Sequence, residues 1–184
     1  GVDRMQHLVE QLLSLYRSSP SEFSNNFTSV DLYKLAQEII AEQHQIFEQK
    51  YQSLELVGST SFIGGDVFSL QTLLQNLLSN ANKYTPEEGT IRVSVENLSS
   101  QICLKVEDSG LGIDSGDYNK VYERFKRLNK KSAVASTPGC GLGLTIVNHI
   151  VALHNASITI SPSDFDSGTT FTVLFDKVDI HHGK

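Results

Sequence analysis

The chain has 184 residues, 39% of them hydrophobic and 20% charged, with a formal net charge of −6. That length supports one domain with a sizeable core plus a short appendage, and no apolar run approaches the ~20 residues that a membrane-spanning helix needs. The acidic balance argues against broad nucleic-acid binding. Two cysteines without metal-ligand spacing point to a reducing compartment and away from a disulfide framework or zinc site.

Residues 2–17 predict an amphipathic helix, because Val2, Met5, Leu8, Val9, Leu12, Leu13 and Tyr16 recur at helical steps. A single small domain offers that stripe little cover, so a partner helix is expected. The polar run 18–29, with Pro20, reads as a linker. The expected organisation is an appendage at 1–19, a linker at 20–29, a folded domain at 30–178 and a tail at 179–184.

Asp31 is the expected N-cap of a helix with the stripe Leu32, Leu35, Ile39, Ile40 and Phe47. Leu54, Leu56 and Val57 predict a strand, followed by a turn at Gly64-Gly65. Asp66 predicts a second N-cap. Phe68, Leu70, Leu73, Leu74, Leu77 and Leu78 supply that helix with its apolar positions, and Tyr84-Thr85-Pro86 ends it. Alternation over 90–97 and 101–107 predicts a hairpin, with Cys103 a buried thiol in its second strand. Residues 109–140 lack clean periodicity, and long irregular segments in compact domains are usually functional or disordered. A third helix is expected near 142–153. Strands near 157–161 and 169–175 flank a turn containing Pro162 and Gly168. The order predicts an α/β two-layer sandwich, in which a mixed, mostly antiparallel sheet carries about three helices on one face, with an N-terminal helix outside it. The histidines, at positions 7, 44, 149, 154, 181 and 182, show no ligand spacing and read mostly as surface or helix residues.

Three constellations carry chemistry. On the second helix, Asn76, Asn80 and Lys83 are spaced by four and three and share a face, opposite the leucines. An amide oxygen is a hard neutral ligand suited to Mg²⁺ that already carries phosphate oxygens, and a lysine meets phosphate as a point charge. Taken alone, the same face is equally a solvated one. Asp108-Ser109-Gly110-Leu111-Gly112-Ile113 follows a strand. It places a carboxylate at a ligand edge beside glycines that let backbone approach closely, although Asp-Ser-Gly is also an ordinary turn. A carboxylate only accepts hydrogen bonds, which favours adenine's exocyclic amine over the carbonyl of guanine. Gly139-Cys140-Gly141-Leu142-Gly143-Leu144 opens a helix, where backbone N–H groups and the helix dipole attract phosphate. A glycine hinge is compatible with the same residues. Neither a dinucleotide fingerprint nor a Walker loop is present. The basic stretch Lys120, Arg124, Lys126, Arg127, Lys130 and Lys131 fits a small anionic ligand or a solvated loop.

Taken in order, these motifs resemble the catalytic and ATP-binding domain of sensor histidine kinases. That domain belongs to an ATPase superfamily that also includes DNA gyrase, MutL and a heat-shock chaperone. The asparagine box is carried by Asn76, Asn80, Lys83 and Tyr84, and the first glycine box by Asp108, Gly110 and Gly112. The phenylalanine box resembles Tyr122-Glu123-Arg124-Phe125. The second glycine box is carried by Gly139, Gly141 and Gly143, and a final box by Gly168-Thr169-Thr170-Phe171. The resemblance spans roughly 30–176 and implies a Bergerat-type fold with ATP and Mg²⁺ as cofactors.

It implies Asn80 as the metal ligand, with Asn76 and Lys83 near the phosphates and Tyr84 bordering the nucleotide. Asp108 would read the adenine amine and Thr169 would support adenine through water. Ile113, Tyr122, Leu142 and Leu144 complete the implied nucleotide contacts. Residues 114–140 would be a lid from which Arg124, Arg127 or Lys130 meets the γ-phosphate. The opening helix resembles the second helix of a dimerisation and phosphoacceptor hairpin. The first helix, with its histidine and following acid, is missing, and His7 in Gln6-His7-Leu8 does not replace it. The resemblance therefore implies transfer of the γ-phosphate to a histidine outside this chain, then to a response-regulator aspartate. It also implies a homodimeric parent in the inner membrane with this part cytoplasmic. An isolated chain is expected to hydrolyse ATP slowly and not to phosphorylate itself. A hydrolytic ATPase of the superfamily and a non-catalytic ATP sensor are the alternatives.

Overall fold

The computed structural model describes Ser24, residues 27–113 and residues 142–177. The expected opening helix at 2–17 and tail at 179–184 lie outside the described residues, as does the lid at 114–140. In chain order the elements are β1 (Thr28–Asp31), α1 (Leu32–Glu48), β2 (Ser53–Gly58), β3 (Phe62–Gly65), α2 (Val67–Tyr84), β4 (Thr90–Asn97), β5 (Gln101–Asp108), α3 (Leu142–Leu153), β6 (Ser157–Pro162) and β7 (Thr169–Asp176).

Both predicted caps form. Asp31 accepts from the N–H groups of Tyr33 (3.1 Å) and Lys34 (3.3 Å), and Asp66 accepts from Ser69 N–H at 2.8 Å. Each satisfies donors that the first helical turn leaves without partners. α1 buries Leu32, Leu35, Ala36, Ile39 and Phe47. α2 buries Leu70, Leu73, Leu74, Leu77, Leu78 and Ala81 and ends where Thr85 turns extended before Pro86.

The main sheet has the order β2-β4-β5-β7-β6. β2 runs parallel to β4, and the other pairs are antiparallel. Alternation sorts its residues between two faces. Ile91, Val93, Val95, Ile102, Leu104, Val106, Ile158, Ile160, Phe171, Val173 and Phe175 join the helix leucines in one buried core. Arg92, Glu107 and Thr170, adjacent in the register, stand on the other face. The α/β two-layer architecture is the expected one. Cys103 is a free buried thiol, and burial pushes its ionisation up.

One local expectation is corrected. Gly64 and Gly65 do not form a turn; they belong to β3 and pair with Ser29 and Thr28 of β1 in a separate two-stranded sheet. Glycine stands at 65 for lack of room, since a β-carbon there would come 2.6 Å from Leu70 Cδ1 and 3.1 Å from His154 Nε2. Thr28 and Ser29, read from composition as the linker's end, are thus strand residues.

His154 is the second difference. It is buried at the end of α3, accepts from Asp66 N–H through Nε2 (3.2 Å), and has Nδ1 2.8 Å from Ile150 O. Its ring stacks on Phe27 with centroids 4.8 Å apart. It joins Phe27, the residue before β1, to the α2 cap and α3, and is no plain helix residue.

Candidate functional site

The second half of α2, the end of β5 with its glycine loop, the start of α3 and the β6–β7 turn meet at one end of the molecule. Four close approaches at glycines bring them together. A β-carbon on Gly143 would stand 2.6 Å from Asn76 Oδ1, and one on Gly110 would stand 2.5 Å from Tyr84 O. Gly168 has φ +121°, and a β-carbon there would fall 1.8 Å from Asp108 O; one on Gly112, at φ +69°, would lie 3.1 Å from Gly168 N. Backbone atoms exclude a side chain at Gly110 and Gly168, the positive φ values disfavour one at Gly112 and Gly168, and one at Gly143 would displace the end of the Asn76 side chain.

On α2, Asn76 donates through Nδ2 to Thr72 O at 2.7 Å. This back-bond to the preceding turn fixes the amide and turns Oδ1 toward α3. Asn80 is half-buried and makes no side-chain hydrogen bond among the described residues. Lys83 is exposed, its Nζ 5.2 Å from the centroid of the exposed Tyr84 ring. The helix end is held by residues that sequence patterning missed. Lys50 donates to Asn82 O (2.7 Å) and Thr85 O (2.6 Å), placing a cation where the helix dipole is negative. Gln52 donates to Thr85 O at 2.7 Å and accepts from Asn82 Nδ2 at 2.7 Å. Both sit in the loop after α1, where no periodicity marks them.

Asp108 is 5% exposed. Its Oδ1 accepts from Gly110 N–H at 2.8 Å and Thr169 N–H at 3.3 Å; Oδ2 accepts nothing among the described residues. Burial pushes the carboxyl above its ordinary range. The two N–H groups oppose the shift and the neighbouring Glu107 charge adds to it. Ser109 Oγ accepts from Thr90 N–H (2.8 Å), and Ser167 Oγ donates to Gly110 O (2.8 Å), so the glycine loop is tied on both sides. Leu111 is 92% exposed, whereas Ile113 and Leu144 pack against the core.

The structure therefore gathers Asn76, Asn80, Lys83, Tyr84, Asp108, Gly110, Gly112, Ile113, Gly143, Leu144 and Thr169, with Leu142 opening α3. Tyr122, Arg124, Arg127, Lys130, Gly139, Cys140 and Gly141 lie outside the described residues. Thr169 also directs its backbone N–H at Asp108 Oδ1. The missed buried acid, Glu107, had a sequence signal: strict alternation puts the two adjacent acids of β5 on opposite faces.

The donor set has a definite chemical character. No cluster of three or more His, Cys, Asp or Glu among the described residues is placed to hold a metal ion. A single amide oxygen suits a cation that brings phosphate and water ligands of its own, as Mg²⁺ does. No helix among the described residues is long and apolar enough to cross a membrane.

Residues 65–179 match the family model described as histidine kinase-, DNA gyrase B- and HSP90-like ATPase. The chain is 32% identical over 177 residues to the sensor protein kinase PmrB of Pseudomonas aeruginosa, covering 96% of this chain and 36% of that protein. It is 34% identical over 174 residues to the sensor-like histidine kinase SenX3 of Mycobacterium tuberculosis, covering 93% and 42%. The chain thus spans well under half of either relative. Among solved structures, the catalytic domain of histidine kinase ThkA superposes with a TM-score of 0.68 at 22% identity, covering 83% of this chain and 97% of that one. The cytoplasmic segment of histidine kinase QseC superposes with a TM-score of 0.65 at 23% identity, covering 96% and 95%.

Proposed function

The chain belongs to the histidine kinase-, DNA gyrase B- and HSP90-like ATPase family, and on that premise we propose that it holds Mg·ATP between α2, the end of β5 and α3 and presents the γ-phosphate to a histidine on a separate phosphoacceptor helix. It carries the catalytic and ATP-binding domain of the sensor histidine kinases. The observation that supports transfer over hydrolysis is Asn76. Its Nδ2 is committed to Thr72 O, and an amide takes no proton from water. The site then works by positioning and charge stabilisation, which is most of what phosphoryl transfer asks of a protein.

In this reading the Asp108 carboxylate accepts from the adenine amine, and Oδ2 is the oxygen left for it. Thr169 keeps Oδ1 engaged and Tyr84 borders the base. Asn80 holds the Mg²⁺, which, when bound, neutralises triphosphate charge. Asn76 and Lys83 lie toward the phosphates, and the N–H groups opening α3 at Leu142 and Gly143 face them. Arg124, Arg127 and Lys130 supply lid cations on closure. The imidazole nucleophile and the base that deprotonates it come from the phosphoacceptor helix. A response-regulator receiver domain is the onward acceptor, and the parent is a homodimer.

The test mixes the chain with Mg·ATP and a separately prepared phosphoacceptor helix pair. Acid-labile phosphohistidine on the added helices supports the proposal. Rapid release of free phosphate would mark a hydrolytic ATPase, and bound but unconsumed ATP would mark a sensor; either outcome contradicts it.

A further inference from the structure

Glu107 lies one residue before Asp108, on the opposite face of the sheet, and is 7% exposed. Its Oε1 accepts from Ser163 Oγ (2.9 Å), Asp164 N–H (2.5 Å) and, at longer range, Thr170 Oγ1 (3.5 Å). Its Oε2 lies 3.4 Å from Arg92 Nη1. Arg92 pairs in turn with Glu55 (3.0 Å) and covers the Phe165 ring at 4.7 Å from its centroid. A buried carboxylate is tolerated only when its oxygens are satisfied in this way. Every donor except Arg92 comes from the β6–β7 turn or the first residues of β7. Glu107 and Arg92 therefore clamp residues 163–165 of that turn onto the sheet.

The other end of the same turn meets the nucleotide site. Ser163 N–H donates to Gly168 O at 3.2 Å, so the clamp fixes the turn across its width. Gly168 packs on the Asp108 carbonyl, and Thr169 N–H reaches Asp108 Oδ1 at 3.3 Å. A hydrogen bond that long sits near the limit of useful geometry and fails on a small further displacement. The Gly110 N–H bond to the same oxygen is shorter, at 2.8 Å, and joins residues only two apart; the turn reaches it less directly, through Ser167 Oγ on Gly110 O.

From this geometry we infer that Glu107 is a positioning residue for base recognition: by anchoring the β6–β7 turn from the far face of the sheet, it sets the Thr169 N–H against Asp108 and fixes the carboxylate that the base meets. The inference rests on the reading of Asp108 given above. It adds a residue whose side chain never touches nucleotide yet governs adenine affinity and selectivity.

The test compares the unmodified chain, Glu107→Ala, Glu107→Gln and Ser163→Ala. The last removes one clamp contact from an accessible turn and serves if the buried substitutions unfold the domain. Amide proton shifts and exchange at Thr169 and Gly110 are followed by NMR, with calorimetric Kd values for Mg·ATP and Mg·GTP. The expected result for Glu107→Ala is a Thr169 amide that exchanges at least tenfold faster while the Gly110 amide changes much less. Its ATP affinity falls about tenfold and the ATP-over-GTP preference shrinks. Glu107→Gln, which keeps an acceptor for Ser163 and Asp164, recovers part of both, and Ser163→Ala shifts both in the same direction by less. Parallel loosening of Thr169 and Gly110, or folded variants with unchanged ATP affinity, would overturn the inference while leaving the nucleotide site intact. Failure of the unmodified chain to bind ATP would overturn the site itself and the inference with it.

Discussion

Gly143, in the first turn of α3, approaches Asn76 on α2 so closely that a β-carbon on it would stand 2.6 Å from Asn76 Oδ1. That oxygen cannot swing away freely, because the other end of the amide is bonded to Thr72 O at 2.7 Å. The contact sets the distance between the polar face of α2 and the start of α3, which is where the phosphates are expected.

Gly143→Ala is therefore expected to push the start of α3 away or break the Asn76 back-bond. The predicted outcome is ATP affinity lowered about tenfold, with thermal stability changed by no more than a few degrees. Calorimetry and a thermal melt on the same sample check it. Unchanged affinity would show that the spacing of α2 and α3 does not matter to the ligand.

Asp108→Asn replaces one acceptor oxygen with a donor. A charge-assisted hydrogen bond contributes about 1.5–3 kcal/mol, so ATP binding should weaken about ten- to a hundredfold, with less discrimination against GTP. The same carboxyl carries a pH signature. Burial raises its pKa above the usual carboxylate range, so on acidification it takes up its proton sooner than an ordinary aspartate does. ATP affinity should fall as the pH is lowered, starting at a higher pH than the titration of an ordinary aspartate would give. For the empty domain the sign is reversed, because the cost of burying the charge is relieved as the group protonates. A flat affinity profile would argue that the base is read by another group.

His154 gives an opposite and separable pH effect. Burial is the main cause lowering its pKa, with the Ile150 carbonyl and Asp66 pulling the other way. The neutral ring meets Asp66 N–H with a lone pair, and a proton on Nε2 would remove that acceptor. The unfolded chain takes up a proton near its ordinary pKa of about 6.5 while the folded one resists. Stability should therefore fall as pH drops below that value toward the folded pKa. Urea unfolding at several pH values checks this, with His154→Gln expected to show a shallower slope. Equal slopes in the two proteins would remove His154 from the account.

The sequence made the helices and the hairpin legible because each carries a local signal. Asp31 and Asp66 are short acceptors at helix starts, the leucines of α2 repeat at helical spacing, and 90–97 alternates. The residues of α2 and β5 proposed to face nucleotide carry a related signal: polar residues interrupt patterns whose other face is committed to the core. Contacts made across long sequence separations were not. The β1–β3 pairing joins four-residue strands whose partners lie 31 to 37 residues apart, too short to show a period. The glycines at 64 and 65 looked like a turn because glycine marks both turns and tight packing. Lys50, Gln52, Glu107 and His154 act through partners on other elements, and only the fold reveals what they hold.

The most direct measurement is a calorimetric titration of the chain with ATP, run with Mg²⁺ and with chelator, alongside Asn80→Ala. The account predicts saturable binding at one site that weakens sharply when the metal is removed, and an Asn80→Ala protein that no longer distinguishes the two conditions. No heat with millimolar nucleotide, or an Asn80→Ala protein with undiminished Mg²⁺-dependent affinity, would contradict it.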